Sequence, residues 1–140
     1  MSAFERIDPP ELARPSGFSH AVRASGTVAV HLAGQTALDA HGRIVGDGVV
    51  AQFEQALGNL LTALRAAGGS PEHLAALTIY IVDVPDYRAH AREIGQLWKR
   101  LAGTDYPATA GIGVARLWDD DALVEVQGVA EIPQSGGAPH

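Results

Sequence analysis

The chain is predicted to fold as one α+β domain: a single mixed β-sheet of about six strands, a short edge strand and then the order β-β-α-β-α-β-β, with two helices packed on one face. Three observations predict this. Residues 48–67 repeat apolar side chains at helical spacing, residues 74–84 form a short run rich in β-branched and apolar residues, and the two closing segments alternate as half-buried strands. With 140 residues and 46% hydrophobic content, one packed core is feasible.

Residues 1–16, with Pro9, Pro10 and Pro15, read as a short edge strand followed by a loop. Next comes "SHAVRASGTVAVHLAGQ" (19–35), in which Ser25-Gly26 separates two strand-like runs and predicts a hairpin. In its second run Val28, Val30 and Leu32 share one face, and Ala29, His31 and Ala33 the other. "DAHGR" (39–43) is a loop turning at His41-Gly42. In the first helix, Val50, Phe53, Leu57, Leu60, Leu61 and Leu64 paint one stripe, and Gly68-Gly69 stops it. Ser70-Pro71-Glu72 opens a short turn before the buried strand 74–84. A second helix over 86–102 packs through Tyr87, Ile94, Leu97, Trp98 and Leu101 and ends at Gly103. Strands 108–117 and 122–131 follow, joined by the acidic "WDDD" turn. Residues 1–132 make the domain, and the tail 133–140, "PQSGGAPH", has nothing to bury and is expected to fray.

The formal charge of −6, from ten basic and sixteen acidic residues, argues against a nucleic-acid surface, which needs clustered Lys and Arg. No cysteine is present, which excludes disulfides, thiolate catalysis and Cys-ligated zinc. The histidines form no His-x-His or His-Glu-x-x-His pattern, so no metal site is expected. No stretch reaches the ~18 apolar residues of a membrane span, and no basic leader precedes an apolar run, so a cytoplasmic protein without membrane contact is expected. Small or apolar residues on both faces of several strands (Ala29 and Ala33, Leu123 and Val129) call for a second covering layer, most simply a neighbouring subunit.

Several pieces, in order and at compatible spacing, carry a family resemblance. They are "LAGQTALDAHGRIVG", then "QFEQALGNLLTALRAAGGS" with Gln52, Gln55 and Asn59, then "LTIYIVDVPDYRAHAREIGQLW", and the closing "YPATAGIGVARL" and "ALVEVQGVA". From about Phe18 to Ala130 the chain resembles the RidA/YjgF family (Rid, formerly L-PSP endoribonuclease). The resemblance implies a chorismate-mutase-like homotrimer with ligand clefts between subunits. It also implies hydrolysis of reactive enamines or imines to 2-oxo acids and ammonia, with no cofactor. In deaminating members an arginine following Pro-Ala grips the substrate carboxylate; the matching residue here is Thr109, after Ala108. The cleft glutamate falls on Glu125, the hairpin tyrosine near Ser19, and the Ser of Ser-Gly-Gln on Ala33. The glutamate is kept, and the arginine, tyrosine and serine are lost.

Imine hydrolysis needs a positioned water, an acceptor for its proton and a donor for departing ammonia. On pattern alone Glu125 reads more simply as a surface residue or a salt-bridge partner between subunits; the resemblance makes it the catalytic acid–base group. Thr109 offers one neutral hydroxyl in place of a bidentate cation, a loss worth about 1.5–3 kcal/mol toward an anion. Arg116 lies at an odd offset and points to the other sheet face, and nothing in the pattern supports Arg23 as a replacement. His20, beside Ser19, is either a cleft acid–base group or a strand histidine bonded to backbone. Gly111 and Gly113 share the Thr109 face and leave room for a ligand or, more simply, for tight packing at a trimer axis. Asn59 reads as a brace from helix to loop. The expected substrate-contacting set is therefore Thr109, Ser19, His20, Ala33 and Ala108, with a small metabolite as the partner. A non-catalytic metabolite-binding or sensing module is the alternative. An endoribonuclease or translation inhibitor is disfavoured by the acidic balance.

Overall fold

The structure, a computed structural model, describes residues 4–134. Among the described residues there are six strands and three α-helices, and the strands divide into two sheets. A two-stranded ribbon joins β1 (Phe4–Ile7) to β2 (Ala21–Ala24) antiparallel. The main sheet is mixed and four-stranded, in the order β3-β6-β4-β5. It comprises β3 (Thr27–Gln35), β4 (Leu74–Ile81), β5 (Ala108–Gly113) and β6 (Val124–Pro133). The α+β class and the strand count are as the sequence predicts, but six strands do not form one sheet.

The expected hairpin of residues 19–35 is the point of departure. Gly26, at φ +65°, redirects the chain at Ser25-Gly26 instead of closing a two-residue turn. β2 then pairs with β1, where Arg23 stands opposite Glu5 and donates to its Oε1 through Nε at 3.1 Å. β3 pairs with the distant β6, and the Thr27 hydroxyl donates to Glu131 Oε1 at 2.7 Å. The closing segments are likewise not neighbours. β5 runs parallel to β4, β6 runs antiparallel to it, and β4 lies between them. β5 stops at Gly113, short of residue 117, as Val114 donates its N–H to the Ile81 carbonyl and the chain leaves the sheet. β6 reaches Pro133, and Gln134 N–H bonds to the Gly26 carbonyl, so the tail's first two residues are ordered against β3. The remainder of the expected tail, 135–140, lies outside the described residues.

Helix α1 (Val49–Ala66) buries Val49, Phe53, Ala56, Leu57, Leu60, Leu61 and Leu64. Each such leucine contributes about 1.5–3 kcal/mol relative to exposure. Gly68, at φ +92°, ends it in the left-handed region, and Gly69 N–H returns to the Leu64 carbonyl. Val50 falls at the rim of the stripe, and the nearly buried Gln52 takes a place in it. Gln52 donates to the Asp121 carbonyl at 3.0 Å and accepts from Leu123 N–H at 2.9 Å, pinning the start of β6 to the helix. Asn59 donates to the carbonyls of Thr36 and Leu38, the brace the sequence suggests.

The expected helix 86–102 is two helices, α2 (Val84–Ala89) and α3 (Ala91–Ala102). α2 starts two residues early because Asp83 caps it, accepting from Asp86 N–H at 3.1 Å. At the break His90 turns its ring onto its own helix, Nδ1–H donating to the Asp86 carbonyl at 2.9 Å. That bond competes with regular helix bonding. Together with the neighbouring Asp86 carboxylate, it raises the His90 pKa.

The helices cover one face of the main sheet. There Leu77, Ile79 and Ile81 of β4 and Val124, Val126 and Ala130 of β6 meet α1 and α3 residues in one core. Among the described residues no helix is long and apolar enough to cross a membrane.

Candidate functional site

Alternation sorts the site residues onto two faces. On β6 the even positions Val124, Val126, Gly128 and Ala130 are buried toward the helices, so Glu125, Gln127 and Val129 point the other way. Glu125 stands opposite Tyr80 of β4, and the Tyr80 hydroxyl donates to Gln127 at 2.9 Å. His31 and Val129, opposite each other on β3 and β6, extend this helix-free face.

Glu125 is half-buried, and its carboxylate fills the space that a Cβ at Gly34 would take. Gly34 lies in the irregular stretch of β3 between Leu32 and Gln35, beside the exposed Ala33. The close approach positions the carboxylate over bare backbone. The Glu125 carboxylate makes no hydrogen bond or ion pair with any described residue. A half-buried carboxylate with unfilled acceptor sites can take a proton from a water or a ligand.

Thr109 faces the opposite way. It stands beside Leu77, a core residue, in the parallel β4–β5 register. Counting strands and residues puts it roughly 14 Å from Glu125 along the sheet. It looks into an open cleft of about 490 Å³ between the sheet edge and α3. Leu77 and Ile79 form the floor, Tyr106 lies beside Thr109, and Phe53, Tyr87 and Trp98 supply an aromatic wall. The Tyr87 ring meets Phe53 edge-on at 6.2 Å. Burial pushes the Tyr87 phenol up to about 12, so its hydroxyl is a neutral donor at ordinary pH. The Trp98 Nε1–H is buried with no acceptor among the described residues, at a cost of about 1–3 kcal/mol.

The remaining expected contacts cluster at the β5 edge. Ser19 forms a parallel bridge to Ala108, donates its N–H to the Pro107 carbonyl at 3.1 Å and its hydroxyl to the Tyr106 carbonyl at 2.7 Å. Its polar groups are thereby used in holding the loop to the strand. His20 is tied by its backbone N–H to Asp8 and by Nε2 to the Ala13 carbonyl at 2.7 Å, with its ring edge-on to Phe18. A carbonyl only accepts, so that bond places the ring proton on Nε2. The Thr109 hydroxyl donates to the Pro107 carbonyl at 2.9 Å and is likewise committed. Within one chain, then, Ser19, His20, Ala108 and Thr109 are gathered at one edge, Ala33 and Glu125 elsewhere, and the two groups are not brought together.

The glycines of β5 have a local explanation. A Cβ at Gly113 would sit 3.0 Å from Val84, under the start of α2, while one at Gly111 meets only Ile81 at 3.8 Å. Of the tryptophans, Trp98 is core, whereas Trp118 is 92% exposed on the loop before β6. Arg23 and Arg116, the cations weighed as substitutes at Thr109, are held by Glu5 and Asp120. Tyr87, expected only as a packing residue, lines the cleft together with Arg92, Gly95 and Lys99 of α3, which the sequence pattern did not single out, nor did it single out Gly34 beneath Glu125. The spacing 92, 95, 99 was the available signal, a single stripe on the face away from Ile94 and Leu97.

Comparison with known proteins agrees with the fold. The family model described as endoribonuclease L-PSP matches residues 10–132. A goat protein named 2-iminobutanoate/2-iminopropanoate deaminase is 31% identical over 114 residues, covering 81% of this chain and 78% of the relative. A RutC family protein from Synechocystis is 35% identical over 118 residues, covering 83% and 86%. Among solved structures, a Rid-family protein of unknown function from Yersinia pestis superposes with a TM-score of 0.83 at 34% identity, covering 94% of this chain and all of the other.

Proposed function

This chain belongs to the endoribonuclease L-PSP (RidA/YjgF) family, and on that premise we propose that it hydrolyses a small imine or enamine without a cofactor, the Glu125 carboxylate of one copy acting at the Thr109 cleft of another. The observation that carries the reading is the unpaired, half-buried Glu125 held against Gly34 on the helix-free face. A second copy laid on that face, in a homotrimer, would both cover it and bring the carboxylate to a neighbour's cleft.

The reaction is R₂C=NH + H₂O → R₂C=O + NH₃. Water bonds to the imine carbon while Glu125 takes one of its protons, and the C=N π pair becomes a lone pair on nitrogen. Glu125 then returns the proton to that nitrogen. Glu125 next takes the carbinolamine hydroxyl proton and passes it to the same nitrogen, so that the O–H pair forms C=O while the C–N bond breaks and neutral ammonia leaves. Positioned proton transfer of this kind is worth about 10²–10⁴-fold in rate. The same names borne by relatives, 2-iminobutanoate and 2-iminopropanoate deaminase, motivate the choice of substrate class.

The test is hydrolysis by the purified protein of imines generated in situ from neutral and charged amino acids. Glu125→Gln is expected to lower kcat by at least 100-fold while the assembly stays intact. Undiminished turnover in that variant would end the role given to Glu125. One observation favours a binding or sensing module as the second reading: the Thr109 hydroxyl is already spent on Pro107. A ligand-dependent rise in Tm with no product formed would select it.

A further inference from the structure

The cleft beside Thr109 reverses the charge balance of the chain. Acidic residues outnumber basic ones sixteen to ten overall, yet the charged side chains lining the cleft are Arg92 and Lys99, and no carboxylate lines it. Both project from α3 seven residues apart, two turns or about 10.5 Å along one helix face. Gly95 lies between them, and a Cβ there would meet nothing within 4 Å, so the wall between the two cations is open backbone.

A solvated helix face also carries cations, and Arg14, Arg43, Arg65 and Arg88 likewise engage no carboxylate among the described residues; Arg92 and Lys99 are set apart by lining one cleft together. Arg23, Arg100 and Arg116 each engage a carboxylate. Arg92 and Lys99 engage none among the described residues, though Glu93 adjoins one of them in sequence. A planar guanidinium and an ammonium on one wall, facing an apolar floor and an aromatic side, suit an anion with a small carbon body. Resting on the reading above that this cleft is the substrate site, we propose that Arg92 and Lys99 are its anion anchor, replacing from the helix the strand arginine absent at Thr109, and that the ligand is a carboxylate-bearing small molecule. Substrate specificity is then set by α3, and the loss at position 109 moves the charge to another wall of the cleft instead of abolishing it.

The experiment is calorimetric titration of the full protein with 2-oxobutanoate and with 2-oxobutanamide, which differ only in the charge of the head group. Wild type is expected to bind the carboxylate at least tenfold more tightly than the amide, Arg92→Gln and Lys99→Gln each to lose several-fold of that preference, and the double variant to lose it all. Arg100→Gln, on the same helix but outside the cleft, should retain it. Equal binding of the two compounds by wild type, no binding of either, or a preference surviving in the double variant would overturn the proposal. The two readings fail separately. A carboxylate preference lost in the double variant, without turnover of any imine, removes the hydrolase and leaves the anchor. Imine hydrolysis with a preference indifferent to Arg92 and Lys99 removes the anchor and leaves the hydrolase.

Discussion

Replacing Gly34 by alanine puts a methyl group where the Glu125 carboxylate lies. Besides the carboxylate oxygen, the new Cβ would stand 2.9 Å from Cδ and 3.3 Å from Cγ of Glu125, and no backbone atom is as near. The strain therefore falls on the flexible end of one side chain. Swinging it aside by about 1 Å costs about 0.5–1.5 kcal/mol if Glu125 leaves its rotamer. Alanine recovers about 0.5–1 kcal/mol over glycine within a strand, and Gly34 has no positive φ to make alanine strained. The two effects nearly cancel, so global stability should change by less than about 1 kcal/mol, or about 4 °C in Tm. Activity should not be spared, because a misplacement of about 1 Å in a reacting group can cost about 100-fold. The assay pairs thermal unfolding with kcat/KM on an imine that wild type turns over. Gly34→Ala is expected to fall about 100-fold in kcat/KM at nearly unchanged Tm. Full activity in this variant would refute the idea that the Gly34–Glu125 contact sets the geometry of the acid–base group; a large fall in Tm would show that β3, not the side chain, yields.

Two further outcomes follow from the structure. Because burial raises the Tyr87 phenol from 10 to about 12, the native state holds its proton where the unfolded chain has lost it. The associated stability is complete below pH 10 and is lost as pH rises through about 12; Tyr87→Phe should remove the phenolate absorbance change near pH 12 and flatten stability over that window. Gln52→Ala strands the Asp121 carbonyl and the Leu123 N–H at the start of β6, and should cost about 1–3 kcal/mol in chemical denaturation; a change below 0.5 kcal/mol, roughly the scatter of neutral surface substitutions, would contradict the pinning role.

The local features of the fold were legible in the sequence, and the long-range ones were not. Helix α1 announced itself because a stripe at spacings of three and four has one low-energy solution, a helix with that stripe buried. β4 and β6 were likewise evident from composition and alternation. Pairing depends on partners about a hundred residues away, such as Thr27 with Pro133, and the Ser25-Gly26 signal, which indicates a turn but not its hydrogen bonding, suggested the wrong neighbour for β3. The helix break at His90 escaped notice because a ring-to-backbone bond leaves no trace in apolar periodicity. At the site, Glu125 could be found by resemblance, yet nothing in one strand's pattern shows that Thr109 lies on the opposite face of the sheet. That follows from the parallel β4–β5 register, which sets Thr109 beside Leu77. Arg92 and Lys99 were not legible because in sequence they match any solvated helix face, and only the packing of α3 beside the sheet edge makes them cleft residues.

The central claim is that one chain's cleft and another chain's Glu125 form a single site, and mixing two disabled variants tests it directly. Glu125→Gln lacks the proposed acid–base group, and Gly95→Trp fills the cleft from a position where a side chain meets open space. Each alone should be inactive. Co-refolded in equal amounts, random assembly joins an intact cleft to an intact Glu125 at half of a half of the seams, and activity should recover to roughly a quarter of wild type. A mixture no more active than its parents would contradict the account.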